Sequence, residues 1–232
     1  MNTNLFIIGA RYTEEIADLK KLGVKLIPVQ NNPDIQDEIC NHIDLLAFTF
    51  PEGIIVIDEC IAGEIVPFLT DYKIIVCSDI KSPYPNDVKL NAAIVGKRLI
   101  CNTKHIHPVI LDKAQELGYE VIHTNQGYAK CNICVLTCDA VITSDAGICE
   151  TLKEHGVDVL KISEGNIQLS ESHYGFIGGA SAKIYDDVVY FSGDFTAHPD
   201  YIKISSFLQK HKIKAVYNDK RPLRDFGGII SL

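Results

Sequence analysis

"KKLGVKLIPV", Lys20 to Val29, packs a polar helix end, a glycine and a short apolar strand into ten residues. Gly23 stands where a helix C-terminus takes up a left-handed residue, a conformation that glycine adopts without Cβ strain. The phrase returns as "QELGYEVIHT" from Gln115 to Thr124 and as "KEHGVDVLKI" from Lys153 to Ile162. Gly118 and Gly156 take the same part there. Two further copies keep the plan without the glycine: "FLTDYKIIVC" (Phe68 to Cys77) and "LQKHKIKAVYN" (Leu208 to Asn218). Five helix-to-strand junctions are therefore predicted.

The segments upstream of these junctions repeat too. "HIDLLAFTFPEGIIVIDEC" (His42 to Cys60) reads as two strands about the turn Pro51-Glu52-Gly53. "NDVKLNAAIVGKRLICN" (Asn86 to Asn102) turns near Gly96-Lys97, and "KCNICVLTCDAVITSD" (Lys130 to Asp145) near Cys138-Asp139. "GFIGGASAKIYDDVVYFSGD" (Gly175 to Asp194) turns at Asp186-Asp187. These hairpins begin near 42, 86, 128 and 174, at spacings of 44, 42 and 46 residues, a period that marks repeated supersecondary units in a propeller or solenoid. Helix starts follow at Thr13 before Glu14, His107 before Pro108, Ser144-Asp145 before Ala146 and His198 before Pro199.

The repeating unit is strand, strand, helix, strand. A fifth hairpin, starting near 226, is split between the chain ends: "GGIISL" at Gly227 to Leu232 beside "NLFIIGA" at Asn4 to Ala10. Pairing of those two closes a ring and removes exposed sheet edges. With no linker or low-complexity run, residues 1–232 are expected to form one α/β domain.

Composition narrows the function classes. The chain has 232 residues, 47% of them hydrophobic and 22% charged, ordinary values for a globular protein. Its formal charge is −8 and its Lys and Arg are scattered, which argues against nucleic acid and anionic membrane as partners. "LFII" at Leu5 to Ile8 is too short to span a bilayer and no basic region precedes it, so neither a span nor a signal peptide is read. Eight cysteines without an export signal read as reduced thiols in a cytoplasmic protein.

Five such units closed by the two termini resemble the pentein fold, the five-bladed α/β propeller of the guanidino-group-modifying enzymes. "YPNDVKL" (Tyr84 to Leu90) looks like the second-blade entry of dimethylarginine hydrolases, and "GFIGGASAKIYDDVVYF" like their fourth blade. "GYAKCNICV" with "YGFIGGAS" also resembles a bacterial branch of the superfamily without an assigned activity. The resemblance implies acidic residues on the first two blades that hold a guanidinium. It further implies a third-blade His as acid and base, and a Cys on the last strand as nucleophile, since a thiolate attacks well near neutral pH.

Carried over, the resemblance puts Asp44 and Asp87 at the acid positions. Tyr128 stands where the His is expected, and Ser231 in "GGIIS" where the Cys is expected. A serine without an adjacent base is a poor nucleophile. The standard Cys-His chemistry is therefore expected to be absent.

"KCNICVLTC" (Lys130 to Cys138) tests a metal or redox reading and fails it. No Gly or Pro turns the chain between Cys131 and Cys134, and a strand would hold their Cα atoms roughly 10 Å apart. That is too far for a shared zinc ion, or for a disulfide, which needs Cα atoms within about 7 Å. As the inner strand of a third blade, the stretch would aim Lys130, Asn132 and Cys134 at the channel and Cys131, Ile133 and Val135 away from it. Lys130 and Asn132 are then candidate ligand contacts, or alternatively a snorkelling cation and a backbone partner; Cys134 is a candidate displaced nucleophile. Gly178 and Gly179 permit close approach of a ligand or another backbone. His173 and Tyr174 could reach the channel mouth, or decorate a surface loop. His105 and His107 read as cap residues of the Pro108 helix. Arg224 and Asp225 would meet a ligand carboxylate or pair with each other.

The expectation is a single-domain pentein that binds a small polar or cationic amino-acid-like ligand in a central channel, with no metal or cofactor. Asp44, Asp87, Tyr128, Lys130, Asn132 and His173 are its candidate contacts. Two alternatives stand beside it: an amidinohydrolase or deiminase acting on a guanidino compound, and a non-enzymatic interaction protein like the pentein translation factor of the large ribosomal subunit.

Overall fold

A computed structural model describes residues 5–170 and 173–232. The chain opens with β1 (Leu5–Gly9), α1 (Thr13–Lys21) and β2 (Lys25–Val29). Next come α2 (Ile43–Leu46), β3 (Ala47–Phe50), β4 (Ile54–Asp58), α3 (Glu59–Ile65) and β5 (Lys73–Cys77). The third unit holds β6 (Ala93–Val95), β7 (Arg98–Cys101), α4 (Pro108–Glu116) and β8 (Glu120–His123). The fourth holds α5 (Ala129–Asn132), β9 (Ile133–Val135), β10 (Ala140–Thr143), α6 (Ala146–Glu154) and β11 (Asp158–Lys161). The fifth holds β12 (Ser181–Tyr185), β13 (Val188–Phe191), α7 (Tyr201–Lys210) and β14 (Lys214–Tyr217), and β15 (Ile230–Ser231) ends the chain.

These strands form five three-stranded sheets: β15-β1-β2, β3-β4-β5, β6-β7-β8, β9-β10-β11 and β12-β13-β14. In each, the middle strand runs antiparallel to the first and parallel to the third. The parallel step is the one a helix has to cross. Middle strands are buried on both faces, which is why "FIIG", "IIVID" and "AVIT" read as unbroken apolar runs. The two chain ends do pair: Phe6 lies opposite Ser231 and Ile7 opposite Ile230. Asn4, counted in that opening strand, falls outside the described residues.

Gly23, Gly118 and Gly156 have φ of +82°, +71° and +74°, as the junction phrase requires. All four hairpin turns fall where expected. The entries differ. The inner strands begin at 47, 93, 133, 181 and 230, later than the expected starts near 42, 86, 128, 174 and 226. Short helical turns fill several gaps: α2, a 3-10 turn at Asn86–Val88, and α5. At the helix starts, Asp145 and His107 cap α6 and α4 through their side chains. Thr13 is already helical, and α7 starts at Tyr201, beyond His198 and Pro199.

The inner strands keep close company. β15 lies beside β3, β6 beside β9, and β9 beside β12. Gly178 belongs to this packing: a Cβ there would run into the carbonyl oxygens of Lys130, Cys131 and Ile133. The close approach anticipated at "GFIGG" is thus to another backbone. Among the described residues, no helix is long and apolar enough to cross a membrane.

Candidate functional site

The inner strands converge on a cavity of about 500 Å³ whose walls include β3, β6, β9, β12 and β15. That volume lies in the usual range for small-molecule sites. Phe48, Phe50, Ile94, Ile133 and Val135 make much of its wall. Lys130, Lys183, Ser181 and Ser231 add polar groups, and Asp186 is the one acidic residue on the lining. Neither a histidine nor a cysteine lines it among the described residues.

Lys130 reaches this cavity from an unexpected start. Residues 130–132 belong to the helical turn α5, so the strand alternation expected across "KCNIC" does not apply. Asn91 Oδ1 accepts from the backbone N–H of Lys130 at 2.7 Å, fixing the turn. The side chain then extends until Nζ lies 3.7 Å from where a Cβ on Gly228 would stand. Among the described residues, no carboxylate oxygen comes within 4.0 Å of that ammonium.

Correct placement of Lys130 reverses the neighbouring assignments. Ile133 and Val135 face the cavity, whereas Cys134 is buried in a separate apolar cluster with Leu136 and Ile142. Burial pushes the Cys134 thiol up to about 11, so it stays protonated at neutral pH. Asn132 is buried too, and its Nδ2 donates to the Tyr128 carbonyl at 2.9 Å, closing its own turn.

Behind Lys130 lies a polar cluster away from the cavity lining. Asp44 is 1% exposed. Its Oδ2 accepts from the Cys131 thiol at 3.0 Å, and its Oδ1 has no partner. Asn91 donates to Cys131 Sγ at 3.1 Å and to the Asp44 carbonyl at 2.9 Å. Burial raises the Asp44 carboxyl to about 6, with His42 and Lys130 opposing the rise. Cys131 is pushed well above the ordinary thiol range by burial and then by the charges of Asp44 and Asp225. Close by, His42 Nδ1 lies 3.6 Å from Asp225 Oδ1, and both side chains are buried. His42 Nε2 has no partner.

Asp87 sits apart from this cluster. Tyr128 Oη donates to Asp87 Oδ2 at 2.8 Å, and Asp87 Oδ1 has no partner. Burial raises the Asp87 carboxyl above the ordinary range, the Tyr128 bond opposing it. The Tyr128 ring lies between those of Tyr84 and Phe176, at 5.9 and 6.3 Å.

Of the residues singled out in the sequence, then, Lys130 and Ser231 meet at the cavity, and Asp44, Asp87 and Tyr128 do not line it. His173 is exposed on a surface groove, its Nδ1 3.3 Å from Glu38 Oε2. Arg224 makes a two-pronged bond to the buried Glu15 at 2.7 Å, and Asp225 turns instead to His42 and to the backbone N–H groups of Phe176 and Gly227. The roles of His42, Asn91 and Cys131 went unread in the sequence. A signal for two of them was there. Asp44, Asn91 and Cys131 stand two or three residues ahead of β3, β6 and β9, so aligning the repeats on their inner strands brings them together.

This fold has solved relatives. A dimethylarginine dimethylaminohydrolase from Pseudomonas aeruginosa, complexed with citrulline, superposes with a TM-score of 0.59 at 10% identity, over 93% of this chain and 91% of that one. An amidinotransferase of saxitoxin biosynthesis from Microseira wollei gives 0.56 at 10% identity, over 94% and 88%. The inosamine-phosphate amidinotransferase of Streptomyces griseus gives 0.53 at 12% identity, over 94% and 76%. All three are pentein superfamily members, and the present chain has a pentein-like fold. Curated proteins provide no match. Within that class the chain belongs to the family described as "Family of unknown function (DUF6873)", whose pattern matches residues 7–230.

Proposed function

We propose that this protein is a single-domain pentein whose five sheets close into a five-bladed propeller around a small-molecule site. The observation that carries the reading is the convergence of inner strands from five sheets on one cavity of about 500 Å³. Closure by the pairing of β1 with β15 supports the ring. The relatives named above include one complexed with citrulline, which supports a small-molecule ligand. Among the described residues, the cavity lining holds neither histidine nor cysteine beside Ser231, which leaves a Cys-His hydrolysis without its reagents there. The protein on this reading binds its ligand without cleaving a guanidinium.

Thermal-shift measurements with amino acids, guanidines and small organic acids test the reading. Stabilisation by at least one group is expected, and it should weaken in Val135→Trp, which places an indole in the cavity. Urea or ammonia release from arginine, methylated arginines or agmatine is expected to be absent, in the wild type and in Ser231→Cys alike. Turnover by the wild-type protein would overturn the binding reading.

One observation favours a second reading, guanidino-group chemistry moved to the strand entries. Cys131, Asp44, His42 and Asp225 bring a thiol, an imidazole and two carboxylates together there. Turnover that disappears in Cys131→Ala and survives Ser231→Ala would support it.

A further inference from the structure

The cavity's chemistry specifies a ligand of the opposite charge to a guanidinium. We infer that it takes a small organic anion, a carboxylate on an apolar or aromatic body, with Lys130 Nζ pairing the carboxylate. This rests on the small-molecule reading above and names the ligand class of that same site.

Three observations lead there. First, the charge on the lining runs against that of the chain: two lysines and one aspartate line the cavity, in a protein of net charge −8. Exposed charges beyond about 8–10 Å are screened at physiological salt, so the local lysines set the field a bound ligand meets. Second, the Lys130 ammonium has no carboxylate within ion-pair distance among the described residues, although Asp44 lies near enough to feel its charge. A half-buried ammonium without an ion-pair partner gains from a charge-assisted hydrogen bond to an anion. Third, the walls pair an apolar surface with scattered hydroxyls, those of Thr49, Tyr72, Tyr185 and Ser231, and bring one carboxylate, Asp186, to the lining. Phe48, Phe50, Ile94, Ile133 and Val135 offer faces for a ring or short alkyl chain. Asp44 and Asp87, the acids that would hold a cation, do not line this space.

The test uses matched probes on the full chain: phenylacetate and indole-3-acetate, their neutral amides, and phenethylamine, by titration calorimetry in wild type, Lys130→Gln, Lys130→Arg and Val135→Trp. Carboxylates should bind at least tenfold more tightly than their amides in the wild type. Lys130→Gln should abolish that preference while leaving amide affinity within about twofold, and Lys130→Arg should keep it. Thermal unfolding of each variant verifies the fold, and Lys130→Arg decides the matter if Lys130→Gln is unstable. Equal or tighter binding of amide or amine, weakened in Val135→Trp, would overturn the anion assignment and leave the cavity reading standing. No binding by any probe at millimolar concentration would overturn the anion assignment, and the cavity reading falls with it only if no compound of the wider thermal-shift series stabilises the protein.

Discussion

Asp44 shows how one buried carboxyl is held in a state that its sequence context does not reveal. With its carboxyl raised from 3.8 to about 6 by burial, the folded protein binds a proton there that the unfolded chain has lost between those values. Its stabilising contribution is therefore full below about pH 4 and declines as pH rises through 6, the reverse of an ion-paired aspartate. The shift corresponds to at most about 3 kcal/mol. Asp44→Asn, whose amide oxygen can still accept from Cys131, should match the wild type near pH 4. At pH 7 it should be more stable by about 1–3 kcal/mol, read from urea midpoints at the two pH values. Equal stabilities at both would show that the carboxyl is not so held.

At the level of elements, the helix-to-strand junctions and hairpin turns were legible because local chemistry fixes them. A left-handed glycine after a polar helix end means the same in any fold. The strand entries were not legible. "KCNIC" alternates well enough to pass as a strand, yet Lys130–Asn132 form a turn because Asn91, 39 residues away, holds the backbone of Lys130. A single shift of this kind exchanges the cavity and core faces, which sent Cys134 inward and Ile133 and Val135 to the ligand side. The contact between Gly178 and the α5–β9 backbone is the reciprocal constraint. Gly178→Ala should cost about 3 kcal/mol or more, because carbonyl oxygens, unlike a flexible side chain, have nowhere to move. A urea midpoint within error of the wild type would contradict that packing.

Across the whole molecule, the eight cysteines report how closely loops, helices and sheets pack together. Cys60 and Cys138 are exposed and the other six are buried, with no disulfide among them. An aromatic disulfide reagent should thus titrate Cys138 quickly in the native protein, Cys60 slowly because burial and the Asp58 carboxylate push its thiol up, and all eight only in denaturant. Fast reaction of Cys131 or Cys134 would mean that the strand entries open readily.

The sequence by itself determined the order and number of units, the turns between them and the pairing of the two ends. Each of these follows from a period or from a residue with a backbone preference of its own. Tertiary structure alone decided which side chains face the cavity and which are walled off beside Asp44. Those outcomes depend on where sheets distant in sequence touch, and on Asn91 holding the backbone of Lys130, and no local pattern encodes either.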